Sequence, residues 1–168
     1  KLNRWAFVGV GIVNSARTER KRHGAADRSR FVRDRIAKLD VAQARPLSDS
    51  DLSRPTRLRG LDVIVMPDVA CLDLAQRRVL ANWVRNGGGL AGLYFTGRDD
   101  ERRVPLVGQG VGRNPGAGVD VDNGKGRSMY LGFDLINMWP LSDQPEVAVR
   151  NVHAADALLG TSVVWAAR

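Results

Sequence analysis

Residues 61–92 read LDVIVMPDVACLDLAQRRVLANWVRNGGGLAG. The apolar run LDVIVM (61–66), stopped by Pro67, predicts a buried strand. Residues 72–85 follow as an amphipathic helix, with Leu74, Val79, Leu80, Trp83 and Val84 as expected core positions. Asp73 suits the N-terminal end of that helix, and Asn86 with Gly87 supplies its C-terminal stop. Residues 90–95 return as a second strand. Two buried strands joined by one helix form a parallel unit, whose crossover is right-handed.

The flanking sequence repeats the alternation. Residues 5–13 (WAFVGVGIV) predict a buried strand, and a polar, arginine-rich loop follows. A helix is expected over 27–39, with Phe31, Val32, Ile36 and Leu39 on one stripe. Residues 41–46 predict a weaker strand, and 48–60 (SDSDLSRPTRLRG) a polar connector broken by Pro55 and Gly60. The glycine- and charge-rich stretch 98–126 predicts short hairpin-like strands and loops; 127–135 predicts a strand, and 147–167 a helix. The expectation is an α/β, three-layer, flavodoxin-like sandwich with a mainly parallel central sheet, forming a single domain over residues 1–168. Ligands of such sheets sit beyond the carboxyl ends of the strands, here the loops after Val13, Met66, Phe95 and Leu135.

Composition narrows the function classes. The chain has 168 residues, 43% of them apolar and 26% charged, enough for a real core. Its apolar segments fall short of the roughly 18 residues that a membrane-spanning helix requires, so no membrane role is expected. A single cysteine, Cys71, excludes an internal disulfide, and two histidines, His23 and His153, leave little material for a zinc site. A cytoplasmic location fits that cysteine usage. The opening KLNRW lacks Met and predicts a piece of a longer chain. The net charge of +8 is concentrated in residues 17–35 (RTERKRHGAADRSRFVRDR). Such a run can attract anions, but it carries no stacking aromatics or nucleic-acid motif, so a solvated face is the default reading.

The fold-deciding stretch resembles the class I glutamine amidotransferase-like domain of beta-galactosidase trimerisation domains. Met66-Pro67, Cys71-Leu72-Asp73, Gln76 and the run Val84 to Gly89 carry that resemblance. GIVNSARTE (11–19) is similar to the family's first strand and loop, GKGRSMYLGFDL (124–135) to its late strand, and the closing SVVWAAR to its final helix. The resemblance covers most of the chain in order and is weakest over 98–123. It implies a module beside a TIM-barrel glycoside hydrolase domain, which helps to assemble an oligomer and can border a sugar site.

Working amidotransferases add a Cys-His-Glu triad, in which a thiolate on a strand-to-helix elbow attacks the amide. In Gly92-Leu93-Tyr94 the resemblance places Tyr94 at the nucleophile position, and Asp134 near the histidine position. No catalytic residue is therefore assigned, and no cofactor or metal is expected. Cys71, at a predicted helix start, reads as a small buried residue. VGVGIVN departs from a dinucleotide fingerprint, since Asn14 stands where the third glycine is needed and helix packing accounts for the glycines. His153 and Asp156 are spaced to meet on a helix, a contact more often structural than catalytic. Asp68, Asp99, Asp100 and Asp134 lie near strand ends, where capping is the default role. The candidate pocket comprises Asn14, Ser15, Asp68, Cys71, Tyr94, Thr96 and Asp134.

Three functions follow as expectations. The first is a non-catalytic module serving oligomer assembly or carbohydrate-ligand binding, through self-association or a neighbouring TIM-barrel domain. The second is a small-molecule hydrolase or binder using a vestigial strand-end pocket. The third, for which charge is the sole argument, is an arginine-rich anion or nucleic-acid binder.

Overall fold

The computed structural model describes residues 8–21, 23–38, 42–93, 96, 119–123, 125–131 and 145–167. The strands are β1 (Val8–Asn14), β2 (Ala42–Ser48), β3 (Val63–Pro67), β4 (Gly89–Leu93), β5 (Val119–Asn123) and β6 (Gly126–Leu131). The helices are α1 (Ala16–Lys21), α2 (Ala25–Ala37), α3 (Leu74–Arg85) and α4 (Pro145–Ala166). One sheet runs in the order β2-β1-β3-β4-β6-β5. Every neighbouring pair is parallel except β5 with β6, which form an antiparallel edge. This is the expected three-layer, flavodoxin-like sandwich.

Both faces of the sheet are covered, which is why β3 is apolar throughout. Val63 and Val65 join Val32 and Ile36 of α2 and Leu159 and Val163 of α4 on one face. Ile64 and Met66 join Leu80 of α3 on the other, together with Leu52 and Leu58 from two 3₁₀ turns (Asp51–Ser53 and Pro55–Leu58). The connector before β3 is therefore part of the core layer, although its composition is polar. The outer strand β2 is blunted by Arg45 and Pro46, which disfavour pairing with a further strand.

The three glycines after α3 have separate causes. Gly87 ends the helix with φ +109. A Cβ on Gly88 would lie 2.0 Å from the Trp83 ring, and one on Gly89 2.1 Å from the Ala166 carbonyl oxygen. They let β4 start directly beneath α3 and against α4. The glycines of β1 are packed differently from the expectation. A Cβ on Gly9 would meet the Gly60 carbonyl at 2.5 Å, and one on Gly11 would meet Leu47 and Leu61 at 2.6 and 2.8 Å. A connector and a neighbouring strand, not a helix, press on them.

Three further expectations are corrected. Residues 16–21 form a helix within the arginine-rich stretch that reads as a loop. Leu74 is 60% exposed, and Gln76 takes the buried place at the start of α3. The reason is a reciprocal cap: Asp73 accepts from the Gln76 N–H at 2.8 Å, and the Gln76 side chain accepts from the Asp73 N–H at 2.9 Å. The Gln76 amide also donates to the Asp49 carbonyl at 2.7 Å, which satisfies its buried end. Asp73→Ala is expected to lower stability by about 1 kcal/mol, with Asp73→Asn retaining most of it. Urea unfolding of the two variants checks this. Finally, Asp156 binds Arg35 through both oxygens at 2.9 and 2.8 Å, tying α4 to α2, while His153 is exposed.

Asp51 opens the first 3₁₀ turn, and its carboxylate accepts from the Ser48 N–H and hydroxyl, both at 2.8 Å. Its carboxyl is held at about 2, below the ordinary 3.8, first by the Ser48 N–H and then by the Ser48 hydroxyl. A depressed carboxyl contributes stability above its unfolded value, and that contribution is lost as pH falls toward its folded value. Asp51→Asn is expected to cost about 1 kcal/mol near neutral pH. The gap from the parent should close between pH 3.8 and about 2, read by denaturant unfolding at several pH values.

Candidate functional site

The strand order fixes where a crevice can form. The chain leaves β1 toward β2 on one side and returns to β3 on the other, so the loops after β1 and β3 diverge. That is the topological switch point of a doubly wound sheet. Asn14 ends β1 there and is exposed; Ser15 behind it is buried. The Ser15 hydroxyl accepts from the Thr18 N–H at 3.0 Å, and its carbonyl accepts from the Glu19 N–H at 3.0 Å, starting α1. The Glu19 carboxylate in turn accepts from the N–H groups of Ala26 (2.8 Å) and Gly24 (3.1 Å) at the start of α2. Those two bonds, Ala26 first, lower its pKa.

Asp68 leaves β3 with φ +52, the one non-glycine residue at positive φ among the described residues. Aspartate tolerates this backbone region better than most side chains. It is fully buried, and its Oδ2 accepts from Arg28 Nη1 on α2 at 3.2 Å. Burying a carboxylate is costly without such a partner. Its N–H donates to the Leu93 carbonyl at 3.2 Å, joining the ends of β3 and β4. Thr96 closes the same seam. Its hydroxyl accepts from the Val69 N–H at 3.3 Å and lies against the carbonyls of Leu93 (2.7 Å) and Met66. Ser29 donates to the Val13 carbonyl at 2.8 Å, and Thr18 accepts from the Cys71 N–H at 3.3 Å.

Of the expected pocket residues, the structure gathers Asn14, Ser15, Asp68, Cys71 and Thr96 around the ends of β1, β3 and β4. Tyr94 and Asp134 lie outside the described residues, as do Asp99 and Asp100. The elbow-like backbone sits at Asp68, one strand before the turn in which the sequence suggests a nucleophile position. Cys71 is 1% exposed, while His23 and His153 are exposed on a turn and on α4. Asp68 serves as an ion-pair acceptor rather than a cap. Among the described residues, no three of His, Cys, Asp and Glu gather as a metal site.

Sequence reasoning missed Arg28, Thr18 and Ser29. Arg28 had a signal: it precedes Val32 and Ile36 by one and two helical turns and so shares their buried stripe. The basic run is largely paired. Arg17 meets Asp73 (3.2 Å), Arg30 meets Asp27 (3.9 Å) and Arg33 meets Asp34 (3.4 Å), besides the pairs of Arg28 and Arg35. A depression of about 360 Å³ lies elsewhere, along β2, bounded by Gly9, Gln43 to Pro46, Gly60 and Leu61. No helix among the described residues is long and apolar enough to cross a membrane.

No family model matches the chain, and no curated protein matches it. Solved structures do. A beta-galactosidase from Bifidobacterium adolescentis is similar over 61% of this chain and 47% of its own, at 22% identity and a TM-score of 0.50. Gan42B, a GH42 beta-galactosidase, is similar over 91% of this chain and 30% of its own, at 13% identity and a TM-score of 0.53. A ThuA-like protein from Bacteroides uniformis aligns over 68% of this chain and 45% of its own, at 18% identity and a TM-score of 0.48. The chain spans about half or less of the length of each of these structures. At these identities the likeness to the two beta-galactosidases is one of fold.

Proposed function

We propose that this chain is one domain of a longer beta-galactosidase-type protein, an amidotransferase-like module that serves assembly or carbohydrate binding rather than covalent catalysis. The observation that carries the reading is the strand-end seam. The Asp68–Arg28 pair and the Thr96 bonds occupy the switch point with structural contacts, and Cys71 is buried beside them. A buried thiol cannot reach a substrate amide, and a carboxylate facing a guanidinium is a poor base. The likeness to Gan42B supports the modular half, since nearly all of this chain corresponds to under a third of that enzyme.

Alkylation tests the non-covalent half. Cys71 in the native chain is expected to react with iodoacetamide only as fast as the chain unfolds, at a rate that rises with denaturant. Rapid modification of the native protein at neutral pH, together with ammonia release from glutamine that alkylation abolishes, would overturn the reading. The strained backbone at Asp68 favours a second reading, a polar small molecule bound in the crevice near Asn14, Ser15 and Thr96. Thermal-shift screening of sugars and amides tests it: a ligand whose shift is lost in Asn14→Ala supports it. No shift from any of them removes it.

A further inference from the structure

The arginines divide into two populations by layer. On α2, Arg28, Arg30, Arg33 and Arg35 each face an aspartate. The opposite layer, built from α3 and the two 3₁₀ turns, differs. Arg45, Arg54, Arg59, Arg78 and Arg85 are all exposed there, and none has a carboxylate partner among the described residues. Arg45 donates to the Arg57 carbonyl, and Arg85 to the Asn82 side-chain oxygen at 2.8 Å. Arg57 itself meets Asp51. The acidic residues of this layer are occupied or inward: Asp68 is fully buried, Asp73 caps α3, and exposed Asp62 accepts from the Gly9 N–H at 2.7 Å.

The same layer carries Leu74, the large apolar side chain most exposed to solvent among the described residues, at the start of α3. Ala75, Arg78, Ala81, Asn82 and Arg85 continue that outward face. Arginine is enriched at protein interfaces, where guanidinium groups pair with carboxylates in bidentate fashion. Faces that hold nucleic acid strands add stacking aromatics. The aromatic of this layer, Trp83, is half-buried and donates its indole N–H to the Gly89 carbonyl at 3.3 Å. A second copy of this chain is a poor complement. Its net charge is +8, and its exposed Asp27 and Asp34 are already paired with Arg30 and Arg33.

We propose that the α3 and 3₁₀-turn layer is a docking surface for an acidic face of a separate protein. Electrostatic complementarity of this kind speeds encounter and fixes register, and it weakens as salt rises. This proposal does not depend on the strand-end crevice.

The test compares two triple charge reversals of equal net charge, using labelled poly-L-glutamate and a short DNA duplex as probes in fluorescence anisotropy. Arg54→Glu/Arg78→Glu/Arg85→Glu alters the proposed surface; Arg30→Glu/Arg33→Glu/Lys38→Glu alters α2. Circular dichroism confirms that both variants remain folded. The first variant is expected to bind polyglutamate at least roughly tenfold more weakly than the parent, and the second to stay within about twofold. Equal losses in both variants would reduce the effect to net charge and overturn the proposal. So would absence of polyglutamate binding by the parent at low salt. A duplex that binds more tightly than polyglutamate, and loses its binding in the first variant, would overturn the choice of partner.

Discussion

Arg28→Ala is expected to destabilise the chain by about 3 kcal/mol, because it removes the guanidinium that faces a fully buried carboxylate. The effect should exceed that of any exposed ion pair on α2, such as Arg33 with Asp34, which is worth under about 1 kcal/mol. Asp68→Asn separates charge from backbone, since asparagine tolerates the same positive φ. If the pair acts as a unit, Arg28→Ala/Asp68→Asn should cost less than the sum of its single variants, by about 1–2 kcal/mol. Chemical denaturation of the four proteins closes this cycle. Additive costs would show that Asp68 and Arg28 are held independently.

The second large effect belongs to the turn before β4. Gly89→Ala would place a Cβ 2.1 Å from the Ala166 carbonyl oxygen and 2.5 Å from its carbonyl carbon. Backbone in the last turn of α4 cannot rotate away as a side chain could, so α4 must shift off the sheet. A loss of about 3 kcal/mol is expected, a fall of roughly 6–12 °C in melting temperature. Gly87→Ala is the internal control. It has open space, with Lys125 Cβ at 3.8 Å, and its cost comes from φ +109 alone, about 1–2 kcal/mol. Calorimetry of both variants checks the ranking. A Gly89→Ala protein as stable as the parent would mean that α4 is not seated on β4.

These residues also show what was legible beforehand. The strand–helix–strand reading of residues 61–92 held because buried strands announce themselves by unbroken apolar runs, and Asn86 with Gly87 marks a helix end by local chemistry. Asp68 could be located because a strand end is also local. Its partner was hidden, since Arg28 lies forty residues away and only the strand order brings α2 over β3. Helix α1 escaped because six residues dense in arginine and lysine show no apolar period, with Thr18 alone buried. At the start of α3 a hydrogen-bonding demand outranked hydrophobicity. The cap needed Gln76 turned inward, and Leu74 was left in water. The paired state of the basic run was equally invisible, because charge counting does not reveal which carboxylates fold against it.

The proposed module serves assembly or carbohydrate binding rather than covalent catalysis. Size-exclusion chromatography with light scattering, performed on the isolated chain across a wide concentration range, tests it most directly. Self-association gives a mass that rises to a fixed multiple of the 18.4 kDa chain. A strict 18.4 kDa species at every concentration would contradict it.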